Sequence, residues 1–322
     1  MRMWVAALAM SCALPAGVAG QGSYPAKPVT IVVPASPGGV TDMLGRTLAQ
    51  RFTGAWGQQA VVENKPGANN QIAAEYVTNP TPDGYTLLIG PETTFVVNPS
   101  LYPKLPYDPV KGFSPISGLV SINHALIVNP AVPVHNVEEL IALARQKPGE
   151  INYGTFGVGS SGHLNMELFQ ALSGARFQAV HYKGATPALT DVMAGHIQMM
   201  FISAGSAVPQ WKAGKVNLIA VGAGKRMRLL PDVPTVAESG LPGYEAVSWF
   251  GLFDPPGMPA DIVEKINDEV RTTFADPGIQ KDFLDRQYFE SIAGTPDALA
   301  ARISSDEPKW RKVIHDANVR AD

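Results

Sequence analysis

"INYGTFGVGSSGHLNMELFQAL", residues 151–172, joins an apolar run to a helix-like one through a glycine-rich turn. Within it Gly157, Gly159 and Gly162 have Gly-x-Gly-x-x-Gly spacing. A strand, a glycine turn and a helix in that order bring main-chain N–H groups to the positive end of a helix, where an anion is stabilised. A dinucleotide is one such anion, but it also needs a carboxylate about 20 residues further on to hold its ribose hydroxyls. The next strand ends "HYKG", with Tyr182 and Lys183 in place of an acid. No cofactor is therefore expected.

The same construction occurs twice more. "VPASPGGVTDMLGR" (33–46) follows the apolar run "VTIVVP", and "HYKGATPALTD" (181–191) follows "FQAVHY". In the first, Pro34 and Pro37 stiffen the turn. Gly38 and Gly39 allow close approach of their N–H groups, and Thr41 or Asp42 caps the helix. Three helix starts after three strand ends describe a pocket for a small acid with more than one carboxylate.

Outward from these turns, short apolar runs alternate with amphipathic stretches. "VTIVVP", "AVVENKPG" and "GYTLLIG" read as strands separated by helices, a βαβαβ pattern with a parallel sheet. The pattern recurs over "HALIVNP", "INYGTF", "FQAVHY" and "HIQMMFI", and the chain closes on helical segments. Two such units suggest two lobes, with the apolar runs 113–128 and 246–254 as strands crossing between them. Lobe 1 is expected to comprise 21–123 plus 246–322, and lobe 2 to comprise 124–245. Ligands of open α/β sheets bind beyond the carboxyl ends of the strands, so both sets of ends would face one cleft.

With 322 residues, 45% apolar and 16% charged, the chain is long enough for two packed cores. A formal net charge of −3 and the lack of a basic stripe argue against nucleic acid. "MRMWVAALAMSCALPAGVAG" reads as a secretory signal, residues 1–20, cleaved between 20 and 22. It contains Cys12, the only cysteine; whether that residue is lipidated stays open. The mature chain is expected in the periplasm as a monomer without disulfides. The six histidines are scattered without ligand spacing, so no metal site is expected. Ser160 and Ser161 do not form a nucleophile elbow, because His163 stands where Gly-x-Ser-x-Gly requires glycine. Catalysis is not expected.

In these same segments, and in "VVENKPGANNQIAAEYV", "NPSLYPKLPYDPVKGFSPIS" and "SWFGLFDPPGMP", the sequence resembles the tripartite tricarboxylate transporter receptors, the Bug family of solute-binding proteins. The resemblance runs nearly the length of the mature chain. It implies a two-lobed α/β fold of the type II periplasmic binding class, closing on a small carboxylate, with the ligand passed to separate membrane subunits. It places the first grip at Ala35, Ser36, Pro37, Gly38 and Gly39. The second comprises Thr155, Gly157, Ser160, Ser161 and His163, with Lys183, Gly184 and Ala185, and Ser203 is added from the end of "HIQMMFI". Many relatives carry an acid where this chain has Ile202, which argues against an amino-acid ligand. Glu92, in "GPETTFVV", reads as a solvated loop charge. A ligand sensor feeding a signalling partner, or an exported enzyme, are the alternatives. Di- and tricarboxylates and aromatic acids all satisfy the same amide geometry.

Overall fold

The structure is a computed structural model that describes residues 24–321. The expected export signal and Cys12 lie outside the described residues. Strand β1 (Val29–Val33) leads to α1 (Val40–Trp56), β2 (Ala60–Asn64), α2 (Gln71–Thr78) and β3 (Thr86–Pro91). β1 pairs in parallel with both β2 and β3, as the alternation requires. Val29, Ile31 and Val33 pack with Leu44, Leu48 and Phe52 of α1, whereas Val32 and Leu88 pack with Ala73, Ala74 and Val77 of α2. Helices thus cover both faces, which is why β1 and β3 are largely apolar instead of alternating, whereas the edge strand β2 ends in Glu63 and Asn64.

A π-helical turn, Thr93–Val97, and a short helix α3 (Asn98–Leu101) follow. Then come β4 (Ser114–Val128), α4 (Val137–Gln146), β5 (Asn152–Thr155), α5 (Ser161–Ser173), β6 (Gln178–His181), α6 (Ala185–Ala194), β7 (Met199–Ser203), α7 (Ala204–Lys212) and β8 (Asn217–Val221). The chain ends through β9 (Val247–Asp254), α8 (Ala260–Ala275), the brief turns α9 (Pro277–Ile279) and α10 (Asp285–Gln287), β10 (Phe289–Ser291) and α11 (Pro296–Asp316). The strands run in the order β2-β1-β3-β9-β4-β7-β5-β6, with β8 and β10 also on β4.

β4 is the spine. Ser114–Asn123 runs antiparallel to β9, and His124–Val128 runs antiparallel to β7 and β8. The partners change between Asn123 and His124. The expectation that the run 246–254 crosses as well is corrected: β9 pairs only with β3 and the first part of β4. The return link is instead a pair of backbone bonds, from Gly222 N–H to His124 O at 2.7 Å and from Ala246 N–H to Gly222 O at 2.8 Å. The second half repeats the layered logic of the first. Leu126, Met199 and Phe201 pack with Leu164 and Phe169 of α5 on one face, while Ala125, Met200 and Ile202 pack with Val192 of α6 and Val208 of α7 on the other.

Candidate functional site

The Gly157–Gly162 turn is built from its own side chains. Gly157 and Gly159 have φ of +127° and +73°, conformations that L side chains rarely adopt. At Gly159 a Cβ would also collide with Leu101 of α3. Ser160 donates to Gly157 O at 2.7 Å and accepts the His163 N–H at 3.4 Å, capping α5. Gly162 serves packing: a Cβ there would lie 2.6 Å from the Phe156 ring.

Two residues expected to touch ligand lie beneath this turn. His163 is buried, accepts the Gly159 N–H on Nδ1 at 3.2 Å, and faces Glu167 at 3.5 Å. Burial raises the proton affinity of Glu167, but hydrogen bonds with His163 and Tyr153 outweigh it and leave the carboxyl below its ordinary value. Thr155 is fully buried, its hydroxyl bonded to His181 Nδ1 at 2.8 Å and to the Gly157 N–H at 3.2 Å. Both residues fix the turn from below, and neither faces the cavity. The packing of α5 against β5 demands buried side chains at these positions.

That cavity, of about 220 Å³, lies where the two halves of the sheet meet. One wall comes from the end of β3 and the π-turn (Pro91, Glu92, Thr93), the middle of β4 (Ile122, His124) and β9 (Ser248, Trp249, Phe250). The other comes from the turns of the second half: Phe156, Ser161, Ala185, Ile202 and Ser203. Of the expected site residues, Ser161, Ala185 and Ser203 line it. Gly184 caps α6 immediately behind Ala185, and the Lys183 side chain is exposed. Three helices, α5, α6 and α7, begin at this wall. α6 and α7 carry no side-chain cap, which leaves their first N–H groups available. The α7 start was not read from the sequence, because Gly205 and Pro209 interrupt its helical pattern.

Ala35 to Gly39 follow β1 and do not line the cavity; Ser36 to Gly39 are exposed. The Gly38 N–H donates to Asp42 Oδ2 at 2.9 Å, and the Gly39 N–H bonds weakly to Ser36 O at 3.4 Å. The two amides expected to face a ligand are therefore engaged within the loop. Asp42 is not the cap either: α1 begins at Val40 with Gly39 as an N-cap that offers no side chain. The Asp42 carboxylate, bonded to Arg46, Gly38 and Asn64, is held down at about 2, chiefly by Arg46. It locks the loop so that the N–H groups of Val40 and Thr41 remain uncapped.

Glu92 overturns the solvated-charge reading. It is 4% exposed, and its Oε2 has no partner. Burial pushes its carboxyl up to about 8, although a Ser248 hydrogen bond draws it back. Ser248 Oγ is 2.9 Å from His124 Nε2, and burial lowers His124 to about 4, so this imidazole is neutral at pH 7. The sequence signal that was available, a carboxylate directly after an apolar strand end, did not reveal that the π-turn folds it inward. Among the described residues, no group of three or more metal-ligating side chains is found, and no helix is long and apolar enough to cross a membrane.

Two α/β halves sharing one strand, with a cleft between them ringed by helix beginnings, define a two-lobed solute-binding protein of the periplasmic class. Residues 44–319 match the model of the tripartite tricarboxylate transporter family receptor, and the chain belongs to that family. Rpa4515 of R. palustris, solved with adipate, is 35% identical with a TM-score of 0.82, over 92% of this chain and 100% of that one. MatC from Rhodopseudomonas palustris, solved with bound malate, is 30% identical with a TM-score of 0.76, over 90% and 100%. BugT of Bordetella pertussis is 30% identical over 299 residues, 92% of this chain and 91% of its own.

Proposed function

We propose that this receptor captures a small organic acid in the cavity between its halves and delivers it to the membrane subunits of a tripartite carrier. The halves act as lobes, 21–123 plus 246–322 and 124–245, in an exported monomer that catalyses nothing. The observation that carries this reading is the convergence of the α5, α6 and α7 starts on one cavity lined by no Lys or Arg. Main-chain donors at helix beginnings hold an anion without a cation. Hydrogen bonds to charged groups are each worth roughly 1.5–3 kcal/mol, so a handful supports micromolar binding after the ordering cost. The adipate and malate held by relatives fit this chemistry.

The test is a thermal-shift screen of the mature protein, freed of copurified ligand, over mono-, di- and tricarboxylates and aromatic acids. At least one acid should raise the melting temperature and be recovered unchanged. Turnover of the stabilising compound would make the protein an enzyme; stabilisation only by sugars or nucleotides would end the acid reading.

The Ala35–Gly39 loop is assigned to the lobe-1 grip that closes over the ligand, through the uncapped amides behind it. Gly39 has an ordinary φ of −78°, and a Cβ there meets only Ser36 O at 3.6 Å and Ala35 Cβ at 4.0 Å. Gly39→Val should therefore fold normally while its branched side chain covers the start of α1. Titration calorimetry with the stabilising acid should show at least a tenfold loss of affinity. Unchanged affinity would remove this loop from the site.

A further inference from the structure

Glu92 occupies a position that electrostatics makes informative. Its side chain forms part of the cavity wall, one oxygen has no partner, and no Lys or Arg lines the same cavity. An ionised carboxylate there would face a bound organic anion in a desolvated space, with nothing between them to neutralise either charge. Such an arrangement is strongly unfavourable, and a carboxyl so placed keeps its proton instead. A neutral carboxyl is a hydrogen-bond donor, which an ionised one is not.

The neighbours leave that donor free. With the imidazole proton on Nε2, His124 donates to Ser248 Oγ at 2.9 Å, and Ser248 beside the carboxyl weakens its hold on the proton without outweighing burial. Oε2 is sealed from solvent without a partner, so the carboxyl meets the cavity through Oε1, and a proton there is the free donor. From α11, Asp306 strengthens the carboxyl's hold on its proton, while Lys309 and Arg302 weaken it. Asp306 engages both cations, accepting from Arg302 Nε at 2.7 Å and from Lys309 at 3.4 Å, while Arg302 Nη2 has no hydrogen-bond partner. Across the cavity, Ser161, Ala185, Ile202 and Ser203 bring no charge.

We propose that Glu92 reads the end of the ligand remote from the helix starts, its neutral carboxyl donating a hydrogen bond to an acceptor there. The inference rests on the receptor reading above. It selects acids that carry a second carboxylate or carbonyl over acids of equal length ending in a methyl or an ammonium group. It also couples retention of the ligand to one proton, because an ionised Glu92 both loses the donor and repels the acceptor.

Three probes of one chain length separate the possibilities: adipate, hexanoate and 6-aminohexanoate, titrated calorimetrically between pH 7 and 9.5. Adipate should bind at least tenfold more tightly than hexanoate at pH 7. Its affinity should fall above pH 8 by about tenfold per pH unit, as expected for one obligatory proton. Glu92→Gln, which keeps an N–H donor of similar shape, should bind adipate within a few-fold of wild type at pH 7, with a flat profile. Melting of the ligand-free variant verifies its fold. A flat wild-type profile, the same slope in Glu92→Gln, or a preference for 6-aminohexanoate would each overturn the proposal while leaving a receptor for acids in place. Failure of all three probes, together with every acid of the thermal-shift screen, would bring down the receptor reading itself.

Discussion

Trp249→Ala should lower the unfolding free energy by about 3–5 kcal/mol, the range for removing a large aromatic from a packed core. Trp249 is fully buried on β9, and its ring lies near parallel to Phe95, with centroids 6.3 Å apart and planes 14° apart. Its Nε1–H donates to Asp306 Oδ2 at 2.9 Å. Asp306 lies on α11 and also accepts from Arg302, so the indole ties the C-terminal helix to the sheet beneath the cavity. Truncation opens a void, strips Asp306 of a donor and removes part of the ligand wall at once. A domain stable by about 5–15 kcal/mol loses a large share of that reserve. Denaturant unfolding should show the midpoint fall at nearly unchanged slope, and acid binding should be lost. Trp249→Phe, which lacks only the N–H and some volume, should lose roughly 1–2 kcal/mol. An alanine variant within 1 kcal/mol of wild type would show that α11 is anchored elsewhere.

Asp254→Asn should stabilise the protein at pH 8, by on the order of 3 kcal/mol, and far less at pH 5. Asp254 ends β9, is fully buried, and neither carboxyl oxygen has a partner. Burial first, and Asp83 second, push its carboxyl up to about 8. In the unfolded chain the same group gives up its proton near pH 4. Between those values the folded state binds the proton and the unfolded state does not. This contribution is therefore fully present below pH 4 and is lost as pH rises towards 8. Glu92 has the same sign. His124, held down to about 4, opposes them below about 6.5, where the unfolded imidazole takes up a proton and the buried one does not. Melting temperature should thus rise steeply from pH 8 to about 6.5 and more gently below. Asparagine at 254, neutral throughout, should remove about half of the steep part. If the asparagine variant keeps the wild-type slope, the carboxyl is hydrated and titrates normally.

The parallel units were legible because period and punctuation agree there. An apolar run, a glycine or proline turn and an amphipathic stretch repeat from Val29 onward, and each became a strand, turn and helix. The elements that went unread lack that agreement. Thr93–Val97 forms a π-turn because buried Thr94, Phe95, Val96 and Val97 all face inward, a pattern with neither helical nor strand period. Residues lining one cavity from Pro91, Ile122 and Phe250 are far apart in sequence, and only the pairing of β3, β4 and β9 brings them together. The glycine turns signalled where helix starts would converge. They did not say which amides are free, because that depends on a return by Asp42 to Gly38 and by His163 to Gly159.

The change of partners along β4 constrains how the protein can move. Continuous strand at residues 123–124 and the backbone bonds through Gly222 and Ala246 form two neighbouring ribbons. A pair of parallel straps bends readily about the line joining them and resists torsion across it. On the receptor reading proposed above, occupancy of the cleft would become a single angle, which a docking carrier needs no contact with the solute to sense.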